Sequence, residues 1–116
     1  MDYLLDGLPF DRITPIWADN AVAEVLLAMY IATAEKRGLE QSQLSGTSQN
    51  DILKEFIARG NYIYPLTPSL RLNIDLYEYC TKYMPKWVFT NICGYHFREA
   101  GANMIQEIAF AFSDGI

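Results

Sequence analysis

Apolar positions recur along this chain at two spacings, one helical and one extended. Between Ala21 and Arg37, the residues Val22, Val25, Leu26, Met29 and Ala32 fall three or four apart and predict a helix. Asp19 and Asn20 stand before it as N-cap types, and Glu35, Lys36 and Arg37 occupy its last turn. Gly38 follows as a left-handed stop. The preceding run Ile13 to Ala18 reads as a short strand, where Pro15 removes a ladder donor and points to an edge or a bulge.

The same alternation continues. Leu44 to Ser48 reads as a short strand, and Asn50 or Asp51 caps a helix through Ile52, Leu53, Phe56 and Ile57 that stops near Gly60. Asn61 to Pro65 is extended. Thr67 with Pro68 behind it predicts a helix start, with the helix running from Ser69 to Met84 and closed by Pro85. Trp87 to Cys93, nearly all β-branched, aromatic or apolar, predicts a strand buried on both faces. A last helix is expected from Ala100 to Phe112, with Met104, Ile105, Ile108, Ala109 and Phe112 along one side. Strand, helix, strand, helices, strand, helix is the order of βα units in an α/β protein. Three parallel strands do not close a barrel, and an eight-stranded one takes about 250 residues. The chain is therefore expected to be either a small open layer or, as its abrupt end favours, a piece of something larger.

Composition narrows the function. The 116 residues are 51% hydrophobic, enough for the core of one domain, and the net charge is −5. Arginines are scattered and lysines do not cluster, which argues against a nucleic-acid surface. The longest apolar stretch, Ala21 to Ala34, carries Glu24 and is too short to span a membrane. The acidic start has no targeting character, and Cys80 and Cys93 lack the spacing of a disulfide framework or a metal site. A reducing, cytoplasmic setting without a metal is expected.

Candidate chemistry gathers in two polar loops that follow strands: Gly46-Thr47-Ser48-Gln49-Asn50-Asp51 and Gly94-Tyr95-His96-Phe97-Arg98-Glu99. In parallel α/β architectures, strand carboxyl ends are where ligands bind. His96 is the only histidine; it is either a structural hydrogen-bonder or a donor to a carbonyl oxygen. Tyr95 reads as a buried core aromatic, and Glu99 as the start of the last helix, where its charge favours the helix dipole. Arg59 either satisfies the last carbonyls of its helix or forks onto a carboxylate. Gln49 is a loop stabiliser or an amide contact to substrate. Residue types alone leave each pair open.

The residues in sequence, however, resemble a known family. Leu44-Ser45-Gly46-Thr47-Ser48-Gln49-Asn50-Asp51-Ile52-Leu53-Lys54-Glu55, continuing to Arg59-Gly60, is similar to a segment of methylmalonyl-CoA mutases. Tyr62-Ile63-Tyr64-Pro65, Pro68-Ser69-Leu70-Arg71, Met84-Pro85-Lys86-Trp87 and Gly94-Tyr95-His96-Phe97-Arg98-Glu99-Ala100-Gly101-Ala102 follow in family order, and Leu5-Asp6-Gly7-Leu8-Pro9-Phe10-Asp11 precedes them. The resemblance implies a partial (β/α)8 (TIM) barrel of about three βα units, with residues 1–116 a fragment of the substrate-binding barrel domain and the cobalamin-binding domain absent. It implies a radical carbon-skeleton isomerisation of an acyl-CoA substrate, with adenosylcobalamin supplied only through the missing domain. Partners would be the remainder of the mutase chain or a separate cobalamin-binding subunit. By motif, His96 would hydrogen-bond the thioester carbonyl and Tyr95 would pack between substrate and corrin. Arg59 would pair with a substrate carboxylate, Thr47 and Gln49 would line the acyl pocket, and Glu99 would hold the adenosine ribose. A dry, preorganised cage is what radical chemistry requires.

Two features depart from the family pattern. Pro15-Ile16-Trp17-Ala18-Asp19 stands where a serine- and threonine-rich run is usual, and Asn91 and Cys93 replace small residues before Gly94. They motivate an alternative, a diverged non-catalytic barrel fragment that binds a partner chain. A hydrolase using His96 is disfavoured, because no nucleophile sits in a strand-turn-helix elbow.

Overall fold

In the computed structural model, which describes residues 1–116, three short strands form one parallel sheet. They are β1 (Ile16–Trp17), β2 (Gly46–Ser48) and β3 (Trp87–Val88), side by side in that order. Ile16 lies opposite Thr47, and Gly46 opposite Trp87. Parallel neighbours need crossover connections. Helix α1 (Ala23–Lys36) supplies the first. The second consists of α2 (Ile52–Lys54), a π-helical turn (Glu55–Arg59) and α3 (Leu66–Tyr83). Two further helices, α4 (Tyr95–Glu99) and α5 (Met104–Asp114), follow β3. The architecture is thus α/β, an open parallel sheet with helices. No helix is long and apolar enough to cross a membrane.

The core lies between the sheet, α1, α3 and the N-terminal segment. Tyr30 of α1 is its centre: the ring stacks on Phe10 at 4.8 Å, meets Trp17 edge-on at 5.1 Å and lies 5.5 Å from Trp87. Arg37 covers the Phe10 ring at 4.4 Å and donates to the carbonyls of Leu5 and Leu8, tying the N-terminal segment to α1. Across the sheet, the Trp87 indole lies over Gly46, where a Cβ would come within 2.3 Å of the ring. Only glycine fits beneath that indole. Its Nε1 donates to Ser48 Oγ at 3.2 Å, so the buried N–H is satisfied.

Several local signals hold. Gly38 and Gly60 adopt left-handed φ values of 79° and 72° after their helices. Asp51 caps α2, its Oδ1 accepting from the Lys54 amide at 3.2 Å. Others are corrected. Asp19 and Asn20 do not cap α1, which begins at Ala23 after Ala21 takes a φ of 68°. The Asn20 side chain is instead engaged by Gln49 and Asp51. The first strand shrinks to Ile16–Trp17. Gly46, Thr47 and Ser48 are strand rather than loop, so the first polar loop starts at Gln49. Helix α3 starts at Leu66, with Thr67 and Pro68 inside its first turn. Proline is tolerated there because first-turn N–H groups have no intrahelical partner.

The third strand is only two residues long, and Val88 is 54% exposed, so burial on both faces is wrong. β3 is an edge strand, and Phe89 to Cys93 have no neighbour on the far side with which to extend a ladder. The last helix starts at Met104 rather than Ala100, and the second polar loop is itself a short helix, α4; Gly101, at φ 105°, separates the two, and Asn103 opens α5 through a reciprocal capping box with Gln106. No residue of α5 is buried; Met104, Ile105, Ile108 and Phe112 face outward.

Candidate functional site

Because the sheet is parallel, the segments leaving β2 and β3 emerge at the same end. After β2 the chain enters a buried polar cluster. Asn50 has no exposed surface; its Oδ1 accepts from the Ala21 amide at 2.7 Å, and its Nδ2 donates to Glu24 Oε1 at 2.7 Å. Asn73 on α3 donates to the Asn50 carbonyl at 2.8 Å. Asn20 Oδ1 accepts from the Asp51 amide at 2.9 Å. These bonds hold the left-handed backbone at Ala21, a conformation unfavourable for a residue with a Cβ.

Gln49 projects from this frame. Its Oε1 accepts from Lys54 Nζ at 3.1 Å and from Asn20 Nδ2 at 3.3 Å, and its Nε2 approaches Asn91 Oδ1 at 3.4 Å. The segment after β3 is therefore linked to the segment after β2. Lys54 is 0% exposed, and its ammonium lies 3.4 Å from Asp51 Oδ2. Asp114, at the end of α5, is pushed up to about 7, chiefly by burial and further by the Asp51 carboxylate beside it.

The π-helical turn carries Arg59. The Gly60 amide bonds to the Glu55 carbonyl at 2.8 Å, the i to i+5 closure that defines the turn. Arg59 Nη1 lies 3.2 Å from Glu55 Oε1; the carboxylate is buried and the guanidinium is partly in solvent. Helix α4 packs against this turn and brings His96 to the same region. Burial holds the imidazole below its ordinary pKa, and the nearby cations Lys54 and Arg59 push it further down. The Cys93 carbonyl and Glu55 oppose them. His96 Nδ1 is buried without a hydrogen-bond partner. The Tyr95 ring meets the imidazole edge-on at 5.4 Å and is 58% exposed.

Of the residues singled out in the sequence, His96, Arg59 and Gln49 share one polar region, with Lys54 between them in charge and contact. Tyr95 flanks it. Thr47 lies within β2, opposite Val88, with its amide bonded to the Pro15 carbonyl at 2.9 Å. Glu99 is exposed at the end of α4 and makes no ion pair; Arg98 beside it approaches Glu107 at 3.8 Å.

A sequence profile of the family described as Methylmalonyl-CoA mutase matches residues 1–116. The chain belongs to this family. It is 48% identical to a methylmalonyl-CoA mutase of Rhizobium meliloti over 99% of its own length and 16% of the relative's. It is 47% identical to an ethylmalonyl-CoA mutase of Cereibacter sphaeroides over 100% of its length and 18% of the relative's. The human mitochondrial methylmalonyl-CoA mutase is 42% identical over 97% of the chain and 15% of the human protein. The chain thus spans about a sixth of the relatives it matches.

For a mutase-family chain, the residue missed in the sequence is Lys54. It was visible as the lysine five positions after Gln49, but a lysine on a short helix ordinarily reads as solvated. Only the fold reveals that it is enclosed. Asn20 has the residue type of a cap for α1 but braces Gln49 and Asp51 instead.

Proposed function

We propose that this chain is part of a cobalamin-dependent acyl-CoA mutase barrel of the methylmalonyl-CoA to succinyl-CoA type, inactive by itself and completed by further mutase segments and a cobalamin-binding domain. The observation that carries this reading is the packing of α4 on the π-helical turn, which brings His96 beside Arg59 at the strand carboxyl ends. A carbonyl-directed donor and a carboxylate-directed fork in one place suit a carboxylated acyl thioester.

In this reading the neutral His96 ring donates a ring N–H in a hydrogen bond to the thioester carbonyl. Arg59 keeps part of its fork on Glu55 and offers the rest to the substrate carboxylate. Gln49 and Thr47 border the acyl group. The open ring of Tyr95 and the carboxylate of Glu99, four residues on, lie one helical turn apart. They fit a flat apolar macrocycle and the hydroxyls of a ribose. Adenosylcobalamin, when bound, supplies the carbon-centred radical that starts the isomerisation. The chain's own residues bind and orient the ester and exclude water from it.

Co-expression with the complementary remainder of a mutase is expected to restore turnover of methylmalonyl-CoA. In that assembly His96→Ala lowers turnover by about two orders of magnitude, the usual cost of one lost donor at a developing charge. Arg59→Ala weakens carboxylated acyl-CoA about tenfold or more while leaving a non-carboxylated analogue unaffected. The reading fails if the assembly stays inactive and both variants bind acyl-CoA as well as the parent.

A further inference from the structure

Lys54 is a fully enclosed lysine that makes no contact with solvent and so touches no ligand itself. Its ammonium has two neighbours of note, Asp51 Oδ2 at 3.4 Å and Gln49 Oε1 at 3.1 Å. The same oxygen also accepts from Asn20 Nδ2 at 3.3 Å. An amide oxygen has two lone pairs, and both are thereby taken. Turning the amide over would set its NH2 group against an ammonium and a second NH2, three donors with no acceptor, in a buried setting where unmatched polar groups are costly. The orientation of Gln49 is therefore fixed, with Nε2 toward Asn91. One of its protons approaches Asn91 Oδ1 at 3.4 Å, and the other has no partner in the chain.

We propose that Lys54, assisted by Asn20, is a positioning residue that locks the Gln49 amide as a hydrogen-bond donor toward the ligand, so that the group received there must be an acceptor such as a thioester carbonyl oxygen. The proposal rests on the reading that Gln49 faces an acyl-CoA pocket. It goes further by assigning which atom of Gln49 meets the ligand and what imposes that choice. Asp51 keeps the lysine in place, and the spacing of Gln49, Asp51 and Lys54 is set by the cap of α2.

The test compares two probes on the chain assembled with the complementary mutase remainder: an acyl-CoA thioester, and the thioether in which its carbonyl is replaced by methylene. The parent is expected to prefer the thioester by about tenfold or more, the value of one good hydrogen bond. Lys54→Met, uncharged and of similar length, lowers that ratio about fivefold, the His96 donor keeping the remainder, and leaves thioether affinity within about twofold. A lysine with a merely structural role would change both affinities together and keep the ratio. Retention of the ratio in Lys54→Met overturns the proposal while the pocket reading stands. A parent that binds neither probe, or binds them equally, overturns both. Should Lys54→Met not fold, Asn20→Ala removes the other donor and is expected to reduce the ratio about threefold. In the parent itself, nuclear magnetic resonance should find a Lys54 ammonium signal that exchanges slowly and contacts Gln49, and Gln49 side-chain amide protons that shift with thioester but not with thioether. An unchanged ratio in Asn20→Ala, or a freely exchanging ammonium, refutes the assignment.

Discussion

Helices α1 and α5 are both rich in apolar residues, yet they meet opposite fates. Helix α1 buries Ala23, Leu27, Tyr30, Ile31 and Ala34 against the sheet and α3, whereas α5 buries nothing and turns Met104, Ile105, Ile108 and Phe112 outward. Sequence pattern alone does not distinguish them. The difference is one of partners: α1 covers a strand with neighbours on both sides of the crossover, while α5 follows β3, the edge of the sheet. Stability therefore resides in the first three quarters of the chain. The last quarter hangs on Phe97, the Phe97–Phe110 ring contact and the polar attachment of Asp114 near Asp51.

Point variants followed by unfolding and amide exchange test this contrast. The largest effect is expected from Tyr30→Ala, which empties the centre of the core and costs about 3–5 kcal/mol in denaturant unfolding. Tyr30→Phe should instead be neutral or stabilising by up to about 1 kcal/mol, because the buried hydroxyl has no hydrogen-bond partner to lose. Gly46→Ala comes next. The new methyl group collides with the Trp87 ring, and the overpacking costs about 1–3 kcal/mol by the same assay. Ala21→Gly acts in the opposite direction, relieving a left-handed alanine and raising stability by about 1 kcal/mol.

A smaller effect is expected from pH at the tail. Asp114 is raised from 3.8 to about 7 in the folded chain, so the native state holds this proton more tightly than the unfolded state does. The favourable term is complete at low pH and is lost as pH climbs through that interval. Amide exchange in α5 should quicken over the same range ahead of exchange in α1, and Asp114→Asn should flatten the dependence. Smallest of all is Phe112→Ala, within about 0.5 kcal/mol for the chain alone. If that substitution destabilises the chain as Tyr30→Ala does, the contrast between the two helices is wrong.

What could be read in advance follows the range of the forces involved. Gly38, Gly60 and the Asp51 cap were legible because each is set by a few adjacent residues. The α/β order was legible because it depends on periodicity. The extent of β3 was not: an apolar run from Trp87 to Cys93 becomes a long strand only with neighbours on both sides, and here it has one. The break at Gly101 was hidden by the apolar spacing beyond it, although the Asn103 and Gln106 pair was in view. At the candidate site, His96, Arg59 and Gln49 were picked out by type, position and family likeness. Lys54 and Asn20 escaped because enclosure is a property of the fold, not of the residue.

The five-residue turn from Glu55 to Arg59 also fixes where the arginine stands around the helix axis. Each residue of an ordinary helix advances about 100° around the axis. Deleting one residue here, and so restoring regular winding, would swing the guanidinium away from the imidazole without altering either side chain. Under the proposed function, the placing of Arg59 would thus depend on the length of a backbone segment as well as on the arginine itself, and a one-residue deletion would shift acyl preference by a different route from replacing the arginine.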